Sequence, residues 1–215
     1  MASTVIHMAV ANEINKVLKR DEGKLLIGSI APDISKQIGE NKLKSHFLES
    51  VDNDIPEIDR FIDKYLDNFD DDFVLGYFVH LYTDYWWFKY FVPEFYENDY
   101  ITKLDGTKIK CTGRMFCLYL YNDYTNLNIQ LIDEYQMNLS IFYSEPPVFK
   151  NIIKEIPMDK IKLIIDQASI IIENSKTTKD LVINIDNIKS FIDMCTKLIL
   201  AKLKELKIVE EIWKK

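Results

Sequence analysis

The sequence predicts an all-α fold, a single multi-helix domain over residues 1–215. Three observations carry this expectation. Apolar residues recur at helical spacing through most of the chain, only residues 99–113 alternate in the manner of strands, and no stretch repeats another. With 215 residues, 47% hydrophobic and 13% aromatic, the chain is long enough to bury a substantial core.

The first helix is expected from Thr4 to Leu18, where His7, Ala11, Ile14 and Leu18 fall on one stripe. Asp21-Glu22-Gly23 ends it. The segment "KLLIGSIAPDISKQIGE", punctuated by Gly28, Pro32 and Gly39, reads as a short apolar piece and then a loop that holds Asp33. A second connection, "NKLKSHFLESVDNDIPEIDR", carries His46 before Pro56 opens an amphipathic helix through about Asn68. An aromatic helix follows from about Asp70 to Phe91. Within 99–113, Asp105-Gly106 between two short alternating runs signals a hairpin or an irregular excursion. Three more helices are expected over about Arg114 to Leu139, Asp159 to Asn174 and Asp186 to Trp213, the last two rich in Ile, Leu and Lys.

Composition narrows the function. A formal charge of −7 and a pI near 5.1, with no Lys/Arg block, exclude duplex nucleic acid as an expected partner. Cys111, Cys117 and Cys195 are odd in number and lack metal-knuckle spacing, and the N-terminus shows no basic segment followed by a long apolar run. Together these predict a reduced, cytoplasmic protein. The window Phe73 to Val92 is about long enough to span a membrane, but His80, Asp84 and Lys89 interrupt it, so a core helix is expected and no transmembrane segment.

Those interruptions point to chemistry. In "GYFVHLYTDYWW", His80 and Asp84 stand at i and i+4, so both leave the same helix face one turn apart, as two ligands of one metal do. A satisfied buried His–Asp pair is the competing reading. All three histidines precede residue 81. Taken singly, His7 is a packed core residue, His46 a surface residue and Asp33 a helix N-cap. Taken together, three His and two Asp on segments bracketing one aromatic helix form a ligand set suited to Zn²⁺.

In this order, "IH" in the first helix, "GSIAPD", "SHF" and "GYFVHLYTDYWW" resemble the zinc-dependent phospholipase C and S1/P1-type single-strand nuclease superfamily over roughly residues 4 to 92. The resemblance implies a helical bundle of that type. It also implies a phosphoesterase that hydrolyses phosphodiesters or phosphomonoesters with a metal-bridging hydroxide, acting on a small phosphate ester, a lipid headgroup or a nucleotide. It assigns Asp33, His46 and His80 to one zinc, Asp84 as the bridge and His7 to the second, with Asp33 also orienting or deprotonating the water. Relatives with a third zinc take its ligands from two His and an acidic residue further on. This chain has no histidine after His80, so only acids such as Asp123, Asp133 or Glu134 could substitute. Secreted relatives also use the amino group and carbonyl of the mature first residue; with Met1 removed, Ala2 has a similar spacing to His7.

Tyr77, Tyr82, Tyr85, Trp86, Trp87 and Phe88 are expected mostly in the core, with some as pocket walls. The alternative to an enzyme is a non-catalytic helical protein that keeps a structural metal, which the histidine-free C-terminal portion favours. An HD-type phosphohydrolase is set aside because no His-Asp dipeptide occurs.

Overall fold

Helices dominate the computed structural model, which describes residues 1–111 and 115–209 apart from the Cys117 side chain. They are α1 (Thr4–Leu18), α2 (Glu22–Gly28), α3 (Ile34–Gln37), α4 (Ile58–Tyr65), α5 (Asp72–Trp86), α6 (Met115–Glu134), α7 (Lys162–Glu173) and α8 (Ile185–Glu205). A small sheet of β1 (Tyr96–Glu97), β2 (Tyr100–Thr102) and β3 (Lys108–Lys110) interrupts them. The expected start at Arg114, the end at Trp213 and residues 112–113 lie outside the described residues.

Local chemistry sets the boundaries. The Ser3 hydroxyl caps α1 by accepting from the Ile6 N–H, and Lys19 closes it in a left-handed turn. Asp21, expected only to end that helix, instead opens α2 by accepting from the Lys24 N–H at 2.9 Å. The expected loop around Asp33 is largely helical. A 3₁₀ turn spans Ala31–Asp33, with Pro32 setting its first turn, and runs directly into α3. Local propensity hid this, because the pieces are too short to show a helical period. Asp71 caps α5, which ends in a single π-turn over Trp87–Phe91 before Pro93.

The hairpin forms as expected, with Ile101 opposite Ile109 and Gly106 in the left-handed region at φ 81°. A third strand was not expected. Asn98 and Asp99 both adopt positive φ, which makes a tight turn joining β1 to β2.

Helix α5 is the axis of the core. Every residue from Phe73 to Leu81 is buried, as are Thr83 and Asp84, so this helix is enclosed on all sides by α1, α2, α4 and α8. Of the aromatic residues around it, Tyr77 and Trp87 are fully buried, while Tyr82, Tyr85, Trp86 and Phe88 pack against the core with one side outward. No helix among the described residues is long and apolar enough to cross a membrane.

The tightest packing is between α2 and α5, where the Gly28 and Gly76 backbones meet. A Cβ at Gly76 would fall 2.2 Å from the Leu25 carbonyl oxygen, and one at Gly28 would fall 2.3 Å from the Phe73 carbonyl oxygen. Both obstacles are backbone atoms that no rotamer change can move. Gly76→Ala is therefore expected to destabilise the protein by about 3 kcal/mol or more, at the upper end of overpacking costs. Chemical denaturation of the variant beside the parent checks this, and a change below about 1 kcal/mol would contradict the close crossing.

Candidate metal centre

Five polar side chains converge inside this apolar shell. His7 comes from the first turn of α1, Asp33 from the 3₁₀ turn before α3, His46 from the turn after α3, and His80 and Asp84 from successive turns of α5. Their exposures are 0%, 5%, 1%, 0% and 1% in that order. The His80–Asp84 stripe thus faces the other three expected residues, and all five meet.

The two carboxylate oxygens of Asp84 divide the cluster. Oδ1 lies 3.4 Å from His7 Nε2, whereas Oδ2 lies 3.7 Å from His80 Nε2 and 3.8 Å from His46 Nε2. Asp33 Oδ1 is 3.5 Å from His46 Nε2. Two groups have donor atoms close enough to share an ion, His7–His80–Asp84 and Asp33–His46–His80, with His80 common to both. The His7 and His80 rings stack, 3.8 Å apart and within 11° of parallel.

Backbone groups hold these side chains in place. His80 Nδ1 lies 2.8 Å from the Ser29 carbonyl oxygen. Only an N–H can pair with a carbonyl, so Nδ1 carries the proton and the neutral ring keeps its lone pair on Nε2, facing Asp84. Ser45 Oγ lies 2.9 Å from His46 Nδ1, and the Tyr77 hydroxyl donates to the Ser45 carbonyl, which ties the His46 turn to α5. Phe47, next to His46, takes a left-handed φ of 53° and packs edge-on against Phe61. The Ala2 N–H donates to Asp84 Oδ1 at 3.1 Å, so the residue with the expected spacing to His7 does reach the cluster. Lys36 Nζ lies 3.6 Å from Asp33 Oδ1.

The donor set fits a bound cation better than a closed hydrogen-bond network. Distances of 3.3 to 3.8 Å between His Nε2 atoms and carboxylate oxygens or one another exceed good hydrogen bonds. They are close to the ~3.3 Å that separates two ligands of a tetrahedral ion bonded at ~2 Å. A proton on His46 Nε2 would pair it with His80 Nε2 at 3.3 Å, yet both ring nitrogens of His7 and Asp33 Oδ1 would still lack a hydrogen-bond partner. Asp33 makes no cap with its side chain, so the N-cap reading is not realised.

Electrostatics agree in direction. Burial pushes the His80 imidazole well below its usual value, with repulsion from His7 adding to it; burial also lowers His46, partly offset by Asp33. Burial raises the Asp84 carboxyl, but His7, His80 and the chain start overcome it and hold the group below the usual carboxylate range. The same contest at Asp33, with Lys36 and His46 opposing burial, leaves its carboxyl well below that range. His46 and His80 therefore rest as neutral imidazoles beside ionised Asp33 and Asp84, the protonation state that ligates metal.

The acids considered for a third ion lie elsewhere. Asp123 is buried, but its oxygens accept from the backbone N–H groups of Leu181, Val182 and Ile183 at 2.8, 2.8 and 3.0 Å, so it anchors the approach to α8. Glu134 pairs with Lys189 at the surface, and Asp133 is exposed. Among the described residues neither belongs to a group that could hold a metal. Sequence reading missed Ser29 and Ser45, because a backbone carbonyl and a serine contact leave no residue-type signature; Lys36, one turn after Asp33, was legible but unread.

Comparison with protein-family models, with curated proteins and with solved structures yields no match for this chain.

Two outcomes follow from the geometry. In chelator-treated protein, His46 and His80 take up protons less readily folded than unfolded, so below the ordinary imidazole value of 6.5 the unfolded state binds more protons. The melting temperature is therefore expected to fall between about pH 7 and about pH 5, before Asp33 and Asp84 begin to take up protons in the unfolded chain near pH 4. A flat calorimetric profile over that window would contradict buried neutral imidazoles. Asp123→Ala strands three N–H groups and is expected to cost about 3 kcal/mol by denaturant titration. Its metal stoichiometry should match the parent's, and loss of one ion would return Asp123 to the centre.

Proposed function

We propose that the chain is a zinc-dependent phosphoesterase with two ion sites in the five-residue cluster, resembling the phospholipase C and S1/P1 nuclease superfamily in fold and ligand order. One observation carries the reading. Ring nitrogens of His7 and Oδ1 of Asp33, without hydrogen-bond partners, flank an Asp84 carboxylate whose two oxygens face different imidazoles, all of them buried. An arrangement with this many buried ligand atoms, spaced too far apart for good hydrogen bonds, is costly unless a cation fills it.

Asp33, His46 and His80 would hold the first ion, Asp84 would bridge, and His7 would hold the second. Bound there, zinc supplies Lewis acidity toward a phosphoryl group and acidifies water near neutral pH. The chain's own residues supply the rest. The Ser29 carbonyl fixes the His80 tautomer, and Ser45 and Tyr77 fix the His46 turn. Asp33 lines an adjoining cavity, and so is the member of the cluster placed to orient a water toward a phosphate.

A specific observation keeps a second reading in view. Asp123 is committed to backbone N–H groups and Glu134 to Lys189, so the chain offers no substitute among them for a third ion's ligands. A protein with a structural metal and no turnover would carry the same features.

Metal analysis and an assay separate the two. Zinc-loaded protein is expected to hold two ions per chain and to hydrolyse bis-p-nitrophenyl phosphate slowly, with activity abolished by chelator. Asp84→Asn should reduce the rate about 100-fold or more, and further than His7→Ala does, because one carboxylate serves both ions. No hydrolysis of any phosphodiester, phosphomonoester or nucleotide, together with a chelator-induced drop in melting temperature, would establish the structural-metal reading instead.

A further inference from the structure

Two cavities open beside the cluster, and their chemistry differs. The larger, about 900 Å³, runs past Phe88, Val92, Phe116 and Leu118 and touches none of the five clustered residues. The smaller, about 410 Å³, is lined by Asp33 itself and by Ala2, whose N–H holds Asp84. Whatever reaches the cluster by way of Asp33 therefore lies in the smaller cavity.

Beyond Asp33 and Lys36 its walls carry no charged side chain. Thr4 of α1, Gln37 of α3, Thr125 and Asn128 of α6, Gln167 of α7 and Ser175 give it hydroxyls and carboxamides from four helices and a loop. These groups both donate and accept hydrogen bonds, as the hydroxyls of a sugar or polyol do. The volume falls within the range of small-molecule sites. Asn128 adds an independent observation. It is only 3% exposed, its Nδ2 donates to Ser175 Oγ at 3.1 Å, and its Oδ1 has no hydrogen-bond partner. A buried carboxamide with half its capacity unanswered is what a ligand hydroxyl would complete.

We propose that this cavity binds the hydroxylated leaving group of the ester, so that the substrate is a sugar or polyol phosphate. The assignment rests on the phosphoesterase reading of the cluster. Hydrolysis then breaks the phosphorus–oxygen bond to the polyol, gives the water oxygen to phosphorus, and returns a proton to the departing hydroxyl. Asn128 and Gln167 act as specificity residues that recognise the hydroxyls, with no part in cleaving the bond.

Titration calorimetry on the full chain tests this, with sn-glycerol 3-phosphate and myo-inositol 1-phosphate beside inorganic phosphate, n-octyl phosphate and phenyl phosphate. The polyol phosphates are expected to bind about tenfold or more tightly than inorganic phosphate and both other esters, the scale on which a hydrogen-bonding site discriminates. Asn128→Ala and Gln167→Ala should each remove most of that advantage and leave the affinity for inorganic phosphate within about twofold. Gln167 is only partly buried, so its variant keeps the test valid if Asn128→Ala fails to fold. Polyol phosphates binding no better than inorganic phosphate, or octyl phosphate or phenyl phosphate binding best, would overturn the proposal. Zinc content measured on the same samples separates the two claims. Hydroxyl-dependent binding without zinc supports the cavity and sinks the hydrolytic reading, whereas a two-zinc protein that prefers octyl phosphate sinks the cavity alone.

Discussion

At the crossing of α2 and α5, Gly28 and Gly76 face one another with backbone against backbone. That contact fixes the height at which the chain leaves α2, and so puts the Ser29 carbonyl 2.8 Å from His80 Nδ1. One turn of α5 separates Gly76 from His80, and one more separates His80 from Asp84. The turn carrying Asp33 follows within a few residues. The distance between two helices thus decides the tautomer of one imidazole and the reach of two carboxylates.

The cost of the arrangement is concentrated in a small volume. Three imidazoles and two carboxylates sit between 0% and 5% exposed, where apolar side chains of similar size would pack with less penalty. The surrounding packing supplies the compensation. Phe61, Phe69 and Tyr77 form a ring-on-ring layer with Phe78 against α5, and each fully buried ring contributes roughly 1.5 to 3 kcal/mol. A core this apolar can carry a strained polar interior, and a cation that binds only the folded state would return stability to it.

Much of this was legible in the sequence where a period or a residue type carried the signal. Thr4–Leu18 emerges as predicted because fifteen residues show the helical stripe, and the long aromatic helix is found because so few polar or charged residues, His80, Asp84 and Lys89 among them, break its apolar run. The convergence of His7, Asp33, His46, His80 and Asp84 was readable because rare polar types stood where packing should be. The 3₁₀ turn and α3 were not, being too short for periodicity, and β1 was hidden because its turn uses Asn98-Asp99 in place of a glycine. Asp123 misled for the opposite reason. A buried acid resembles a ligand in sequence, and only its three backbone donors reveal an anchor.

The polar cluster is built entirely from α1 through α5, within residues 7 to 84, while much of the wall of the adjoining cavity comes from Thr125, Asn128, Gln167 and Ser175, more than forty positions downstream. These two regions meet in space but share almost no local sequence. Insertions or substitutions that reshape the far wall leave the spacing of His80 and Asp84 on their helix untouched. The molecule is therefore modular in a practical sense: its polar cluster and the wall of the cavity beside it can drift, or be engineered, independently of each other.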